Sequence, residues 1–211
     1  MWQTGLVDNS GSRTQNQRGR PRLFDEETTL DELTELFWRK GYTQTSVADL
    51  VGVSGVHKSS LYSTFGSKDE LFATILHRYF EQRMEMFSLL IETAGPGIEG
   101  IHAFLDLILS DVLAGNGKNG CLLVNSSTEL GGSAPGFDDF GDQFRDAMRA
   151  RFRSLIAQGD PIDHNEPTTD QRTELLLMFM IGLISTTRGG ASESELRRAI
   201  DSMHATVDTW G

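Results

Sequence analysis

The chain has 211 residues, 38% of them hydrophobic, a formal net charge of −11 and a single cysteine, Cys121. It is long enough for one sizeable core with a small satellite domain, and one cysteine excludes an internal disulfide framework and a zinc site built from several cysteines. The N-terminus lacks the apolar run of a signal peptide, and the longest apolar run, at 175–184, is about half of a bilayer span. We therefore expect a cytoplasmic globular protein that does not use a membrane as its partner.

The acidity of the chain is confined to its C-terminal part. Residues 1–83 carry 10 Lys/Arg and 11 Asp/Glu, whereas residues 84–211 carry 9 and 19. Between Asp49 and Asp69 the only charged residues are Lys58 and Lys68. A second basic cluster without acidic neighbours consists of Arg13, Arg18, Arg20 and Arg22. Two positive patches thus survive in an acidic protein, as a polyanionic partner would require.

Residues 1–23 are polar and aperiodic, so we expect a flexible arm there. A first helix is predicted from the N-cap Asp25 to the stop at Gly41, because its apolar residues recur at helical spacing and acids and cations occupy its first and last turns. A second helix is predicted after Thr45, where Ser46 and Asp49 have the spacing of a capping box.

A third short helix is predicted after Ser54-Gly55, as far as about Phe65. Ser67 and Glu70 have the spacing of a second capping box and open a long fourth helix, which Gly95-Pro96 ends. Further helical patterns cover about 98–114, 119–130, 137–158, 170–188 and 193–209. No segment alternates convincingly like a strand, so the fold predicted is all-α with about nine helices.

The second and third helices are short, and a tight turn containing glycine joins them behind a covering first helix. This is the helix-turn-helix arrangement, whose second helix enters the major groove of DNA. The exposed face of that helix carries hydrogen-bonding side chains, namely His57, Lys58, Ser59, Ser60, Tyr62, Ser63 and Thr64. A merely solvated polar face is the alternative.

Three segments, GRPRLFD, FWRKGYTQTSVADL and above all SGVHKSSLYSTFGSKDELF, resemble the TetR-type family of bacterial transcriptional repressors over about residues 20–75. The resemblance implies a three-helix DNA-binding head, a linking fourth helix and a six-helix ligand-binding and dimerisation body. GCLLVNSSTEL, at 120–130, is similar to a segment of one branch of the family. The domains expected are a flexible basic arm at 1–23, a helix-turn-helix DNA-binding domain at 24–66 and a ligand-binding and dimerisation domain at 67–211.

The resemblance also implies which residues contact DNA. Lys58, Ser59, Ser60 and Tyr62 would contact bases or phosphates; Thr45, Ser46 and Lys68 would contact phosphates; and Arg18, Arg20 and Arg22 would follow the backbone or the minor groove. Ser63, on the same polar face, is a further DNA-binding candidate. His57 stands where the family commonly has a small hydroxyl residue. Capping the helix, touching phosphate when protonated and reading a base are all open roles for it.

A ligand pocket is predicted from the large apolar residues that recur on successive helices of the body. Its candidate residues are Met84, Phe87, Phe104, Ile108, Cys121, Asn125, Glu129, Phe144, Met148, Phe152, Met178 and Phe179. Three of them, Cys121, Asn125 and Glu129, share one face of the predicted helix at 119–130, which either lines the cavity or faces water and packs locally. The effector expected is a small, largely apolar molecule with one polar group, and the long fourth helix would connect its pocket to the head. A solid core is the alternative.

The two C-terminal helices are predicted to form a homodimer interface. The run at 175–184 is apolar on all sides, and small residues allow close approach of a second helix: Gly182, Ser185, Thr186 and Gly189. Burial within one subunit is the alternative.

Enzymatic chemistry is not expected. The five histidines, at 57, 77, 102, 164 and 204, form no metal-ligand spacing, and no GxSxG sequence is present, so neither a metal nor a cofactor is predicted. The predicted function is a homodimeric, ligand-responsive repressor of a pseudo-palindromic operator. The alternative is a repressor that senses redox state or electrophiles through Cys121.

Overall fold

The computed structural model describes residues 24–114, 117–131, 138–159 and 167–210. Within these ranges the chain forms nine α-helices and no strand, which confirms the predicted fold class. The helices are α1 (Glu26–Lys40), α2 (Val47–Ser54), α3 (Lys58–Phe65), α4 (Lys68–Ala94), α5 (Gly97–Leu113), α6 (Leu122–Leu130), α7 (Asp138–Gly159), α8 (Thr169–Arg188) and α9 (Glu193–Val207). None of these described helices combines the length and the apolar character that crossing a bilayer requires.

Helices α1 to α3 form a small head whose ends are set by local sequence. The Asp25 side chain accepts a hydrogen bond from the Glu27 amide at the start of α1, and Ser46 forms the predicted capping box with Asp49 at the start of α2. Gly55 ends α2 with a left-handed backbone (φ 64°) that favours glycine. The apolar sides of these helices meet on the N-terminal part of α4, around Leu33, Phe37, Leu50, Leu61 and Phe72.

Helix α4 connects the head to the body. Its 27 residues span about 40 Å, and its start is fixed by the predicted capping box of Ser67 and Glu70. Its buried side chains change partners along the helix: Phe72 packs on Phe37 of the head, with ring centroids 4.7 Å apart, whereas Phe87 packs on Phe104 of α5. One rigid element therefore has one end in each part of the molecule.

The body consists of α5 to α9 together with the second half of α4. Helices α5 and α7 approach closely at Gly97 and Gly159, where a Cβ added to Gly159 would lie 2.1 Å from the Gly97 Cα. Neither position tolerates a side chain without moving a helix, because the nearest atoms are backbone.

The predicted helix at 119–130 is corrected by the structure. A 3₁₀ turn covers Gly117–Asn119, the helical backbone is interrupted at Gly120 (φ 73°), and α6 begins only at Leu122. Cys121 therefore precedes α6 as its N-cap residue and does not stand in its first turn. A second 3₁₀ turn, Asp208–Trp210, follows α9.

Candidate nucleic-acid interface and body cavity

The outer face of α3 presents polar side chains to solvent. His57, Lys58, Ser59 and Ser63 are exposed, whereas Ser60 and Tyr62 are half-buried. Leu61, on the opposite face, is buried and holds the helix to the head. The Lys58 ammonium lies 5.6 Å from the centroid of the Tyr62 ring, which orients a long, mobile side chain on this face. His57 is the N-cap residue of α3, but its side chain makes no capping hydrogen bond, so the first of its three open roles is removed.

The charge next to this face is balanced within the head. The Asp49 carboxylate accepts a hydrogen bond from the Lys40 ammonium at 2.6 Å and bonds to the hydroxyl and amide of Ser46. These bonds, the one from Lys40 first, lower the pKa of Asp49 well below its ordinary value, so it stays ionised and paired. Asp49, the last acidic residue before α3 along the chain, is thereby paired with a cation of the head.

Two of the expected phosphate contacts need correction. The Thr45 side chain is 1% exposed and its hydroxyl donates to the Gly41 carbonyl, while its amide donates to the Tyr42 carbonyl, so Thr45 has no donor free for a phosphate. The Lys68 ammonium donates to the Tyr42 carbonyl at 2.7 Å and lies 4.1 Å from the centroid of the Tyr42 ring. Partial burial lowers the pKa of Lys68. In this state Lys68 braces the turn between α1 and α2. Ser46 is exposed at the start of α2, and Arg18, Arg20 and Arg22 lie outside the described residues.

The body contains a partly open cavity of about 60 Å³, which is smaller than the ~150 Å³ of an apolar cavity that binds benzene. Seven of the predicted pocket residues line it: Met84, Phe87, Phe104, Ile108, Cys121, Phe144 and Met148. Four methionines, at 84, 86, 148 and 180, belong to its wall. Because methionine has three rotatable bonds, such a wall can adapt to a larger occupant.

Five predicted pocket residues lie elsewhere. Phe152 is fully buried behind the wall and packs edge-on against Phe87 and Phe104. Met178 is 52% exposed on α8, and Phe179 is half-buried outside the cavity. Phe152, Met178 and Phe179 do not line this cavity. They were predicted from hydrophobicity, which alone does not tell which side of a helix faces a cavity.

The other two, Asn125 and Glu129, are on α6 but serve local and long-range contacts. The Asn125 amide group donates to the Asn119 carbonyl at 2.7 Å. The Glu129 carboxylate reaches the head, where it accepts from the amides of Tyr42 at 3.1 Å and Thr43 at 2.7 Å. Of the two alternatives for this face, local packing agrees with the contacts of Asn125 and Glu129, whereas Cys121 lines the cavity.

The cavity has a polar end that the sequence did not reveal. Its residues are Tyr79 and Arg83 of α4, Asp111 of α5 and Cys121. Arg83 pairs with Asp111 at 2.9 Å and lies 4.9 Å from the centroid of the Tyr79 ring. The Tyr79 hydroxyl is buried close to Arg83 and Cys121, yet among the described residues no partner meets it at hydrogen-bonding geometry. Burial raises its pKa well above the ordinary value, so the group remains a neutral donor.

Cys121 lines this end as an inert thiol. Its side chain is buried, and burial raises the pKa of the thiol. Because the thiolate is the reactive form, this environment disfavours rapid oxidation or alkylation. The remaining wall residues missed from the sequence are Met86, Leu107, Val112, Gly120, Met180 and Ile184.

Helix α6 is attached to the head at both of its ends. Before its start, the Gly120 carbonyl accepts a hydrogen bond from the Trp38 indole at 3.0 Å, and this bond is buried. Near its end, Glu129 binds the turn after α1, as described above. Gly120 also lines the cavity, so one segment touches both the cavity and the head. No sequence pattern indicates these contacts, because the partners are more than 80 residues apart.

Tyr42 is the point where the attachments meet. Its hydroxyl donates to Asp69 of α4, its carbonyl accepts from Lys68 of α4, and its amide donates to Glu129 of α6. Burial and the bond to Asp69 raise the pKa of Tyr42 to about 12. The turn between α1 and α2 is therefore held from both α4 and α6. Across the described residues, no cluster of three or more His, Cys, Asp or Glu is arranged to hold a metal ion.

This chain is similar to known proteins in both sequence and fold. Residues 30–75 match the model of the tetR family of bacterial regulatory proteins. The HTH-type transcriptional repressor ComR of Escherichia coli (strain K12) is 27% identical over 199 residues, which cover 90% of this chain and 92% of ComR. The chain is therefore similar to the tetR family of bacterial regulatory proteins in its helix-turn-helix, and to a curated transcriptional repressor over most of its length. The expectation that it is not an enzyme agrees with these similarities, because the matched family model and the curated relatives ComR and BdcR are transcriptional regulators by name.

Solved structures of TetR-family regulators agree with the fold over most of the chain. A regulator from Chloroflexus aurantiacus has a TM-score of 0.77 at 22% identity and covers 86% of this chain and 93% of its own. A cysteine mutant of the regulator CifR, solved in complex with a 26-base-pair operator, has a TM-score of 0.73 at 25% identity and covers 88% of this chain and 98% of its own. The TetR-family match at 30–75 contains α2, α3 and the turn between them, so the helix-turn-helix lies within the matched segment.

Proposed function

We propose that this protein is a homodimeric TetR-family repressor that binds a pseudo-palindromic operator and is released from it by a small, largely apolar effector. Residues 24–66 form its DNA-binding domain and residues 67–211 its ligand-binding and dimerisation domain, preceded by the basic arm at 1–23. The observation that carries the proposal is the outer face of α3, where Lys58, Ser59 and Tyr62 stand on a helix that contains no acidic residue. ComR, a repressor by name, and the operator complex of CifR support this assignment.

DNA reading by α3 follows from its chemistry. Hydroxyl, imidazole and ammonium groups donate to base edges and phosphates in the major groove, and α2 presents the capped residue Ser46 beside them. His57 contributes a phosphate or base contact, since its side chain is exposed and caps nothing.

Dimerisation is supported by an uncovered apolar strip on α8. Leu175 and Met178 are 42% and 52% exposed, and a Cβ added to Gly182 would meet no atom within 4 Å. With Ser185 these residues recur at helical spacing along one side of α8. A second copy of α8, crossing at the small residues, would cover the strip and bring two heads into one assembly. A two-fold dimer imposes its symmetry on the operator.

The matched variants Met178→Glu and Leu89→Glu test this interface. Both place a charge at an exposed apolar residue, but Leu89, 60% exposed, lies on a different helix, α4. Light scattering after size exclusion should give a dimer for the wild type and Leu89→Glu and a monomer for Met178→Glu. In a fluorescence-anisotropy titration with DNA from upstream of its own gene, Met178→Glu should lose specific binding. A dimeric Met178→Glu protein would contradict the interface.

Release by an effector is supported by the connection of the cavity to the head. Tyr79, Arg83 and Phe87 place α4 against the cavity, while Gly120 brings the start of α6 to it. Both helices end on the turn that contains Tyr42. A ligand that favours a shifted position of α4 or α6 would move this turn, and with it α2 and α3. A differential affinity of about 1–3 kcal/mol between the two states would weaken operator binding about 5- to 150-fold.

A further inference from the structure

We propose that the polar end of the cavity selects a neutral ligand that carries a single hydrogen-bond acceptor, such as a ketone or an ester carbonyl, on a small apolar frame. This inference rests on the proposed ligand response and names the class of effector. It is carried by Tyr79, a residue of the cavity wall whose buried hydroxyl is a donor that lacks a partner among the described residues.

The donor character of this site is defined by Tyr79. The Cys121 sulfur lies near this hydroxyl, and sulfur accepts hydrogen bonds only weakly. The guanidinium of Arg83 offers no lone pair. A buried donor without an acceptor is unfavourable, so a ligand that brings an oxygen acceptor to this point removes an existing penalty as well as adding a bond.

The charge of the preferred ligand follows from Arg83. Its guanidinium is already bound to Asp111 at 2.9 Å, and Cys121 is a neutral thiol because burial raises its pKa. The titratable groups on the cavity wall therefore sum to no net charge. A carboxylate would have to enter this apolar space uncompensated or displace Asp111 from Arg83, whereas a neutral carbonyl requires neither.

The size and shape of the ligand follow from the rest of the wall. About 60 Å³ is free, and the surrounding side chains are phenylalanine, methionine and branched aliphatic residues. A single ring enters only if methionines of the wall move aside. The frame that fits is therefore compact and apolar, with its acceptor at the end that meets Tyr79.

Three probes of one shape test the selection: acetophenone, α-methylstyrene, which replaces the carbonyl by an alkene, and benzoate, which replaces the acetyl group by a carboxylate. Binding of each to the wild type and to Tyr79→Phe is measured by calorimetry or by competition with a fluorescent apolar dye. The ratio of the dissociation constants of acetophenone and α-methylstyrene is compared between the two proteins, because the different hydrophobicity of the probes cancels in this comparison.

Relative to α-methylstyrene, acetophenone should bind Tyr79→Phe about tenfold more weakly than it binds the wild type, a difference of about 1.4 kcal/mol. Benzoate should bind at least about tenfold more weakly than acetophenone to the wild type. Far-ultraviolet circular dichroism and thermal unfolding establish that Tyr79→Phe keeps its fold, since the ring against Trp38 is retained. A ratio unchanged within about twofold, equal binding of benzoate, or no binding of any probe would overturn the inference.

A parallel titration of operator DNA separates this inference from the proposed function. If acetophenone binds with the expected dependence on Tyr79 but leaves operator affinity unchanged, the selection stands and the release mechanism fails. If apolar molecules release the operator while Tyr79→Phe distinguishes acetophenone from α-methylstyrene as the wild type does, the repressor function stands and the ligand class is wrong.

Discussion

Glu129 is the residue through which α6 holds the head, and its removal gives the sharpest test of that attachment. Glu129→Ala deletes two charge-assisted hydrogen bonds, to the amides of Tyr42 and Thr43. A bond to a charged group contributes about 1.5–3 kcal/mol when sheltered, but the Glu129 side chain is exposed, so water replaces part of each. We expect the free energy of unfolding to fall by about 1–3 kcal/mol in total. Thermal midpoints should fall by about 2–4 °C for each kcal/mol.

A double-mutant cycle with Gly41 makes the assay specific. Gly41 has φ 84° and ψ 165°, a conformation that essentially only glycine adopts, and a Cβ there would lie 2.8 Å from a Glu129 carboxylate oxygen. Gly41→Ala alone should therefore lose about 1–3 kcal/mol from backbone strain plus the displacement of Glu129. In the Glu129→Ala background the second contribution is absent, so the two losses should be less than additive by about 0.5 kcal/mol or more.

Urea unfolding of the four proteins measures the cycle, and Glu85→Ala is the control. Glu85 is an exposed glutamate of α4 and should tolerate alanine within about 0.5 kcal/mol. Additive losses, or a Glu129→Ala protein as stable as Glu85→Ala, would refute the attachment of α6 to the head.

Three further predictions concern DNA binding, acid stability and the thiol. Lys58→Ala should weaken specific operator binding by about 1–3 kcal/mol, whereas Lys118→Ala, in the 3₁₀ turn of the body, should leave it unchanged; anisotropy titrations at fixed salt measure both. The pKa of Asp49 is lowered below its ordinary value of 3.8, so its stabilising contribution is present above that pH and is lost as the pH falls below it. The difference in urea midpoint between the wild type and Asp49→Asn should therefore be largest near neutral pH and shrink towards about pH 3, and a constant difference would count against the Lys40–Asp49 pair. Cys121→Ser should keep the response to an apolar effector, because the buried thiol acts as a wall residue; abolition of the response with intact DNA binding would favour the redox or electrophile alternative.

The helical framework was predictable because its signals are local. Asp25, Ser46 and Ser67 cap helices as their sequence context indicates, and the glycines after α1 and α2 end them. The same local chemistry marked the polar face of α3. Family resemblance added the expected function, which periodicity alone does not supply.

The contacts between distant segments were not predictable from the sequence. Glu129 appeared as a pocket residue because it shares a helix face with Asn125, whereas its actual partners are backbone amides of the head. The position of the helix break at Gly120 could not be predicted, because the segment contains several glycines and any of them could end a helix. Tyr79 was not predicted to line the cavity, because an apolar stripe in the sequence does not tell which of its residues face a cavity and which face the core.

The central claim, that a two-fold dimer reads DNA through α3, is tested most directly by selection of operator sequences from randomised duplexes. The wild-type protein should enrich a pseudo-palindrome with half-site centres about 34–36 Å apart, or somewhat more. Lys58→Ala and Tyr62→Ala should each relax or change the preference at a few base pairs of each half-site and leave the spacing unaltered. Enrichment of a sequence without two-fold symmetry, or an identical preference in all three proteins, would contradict the account.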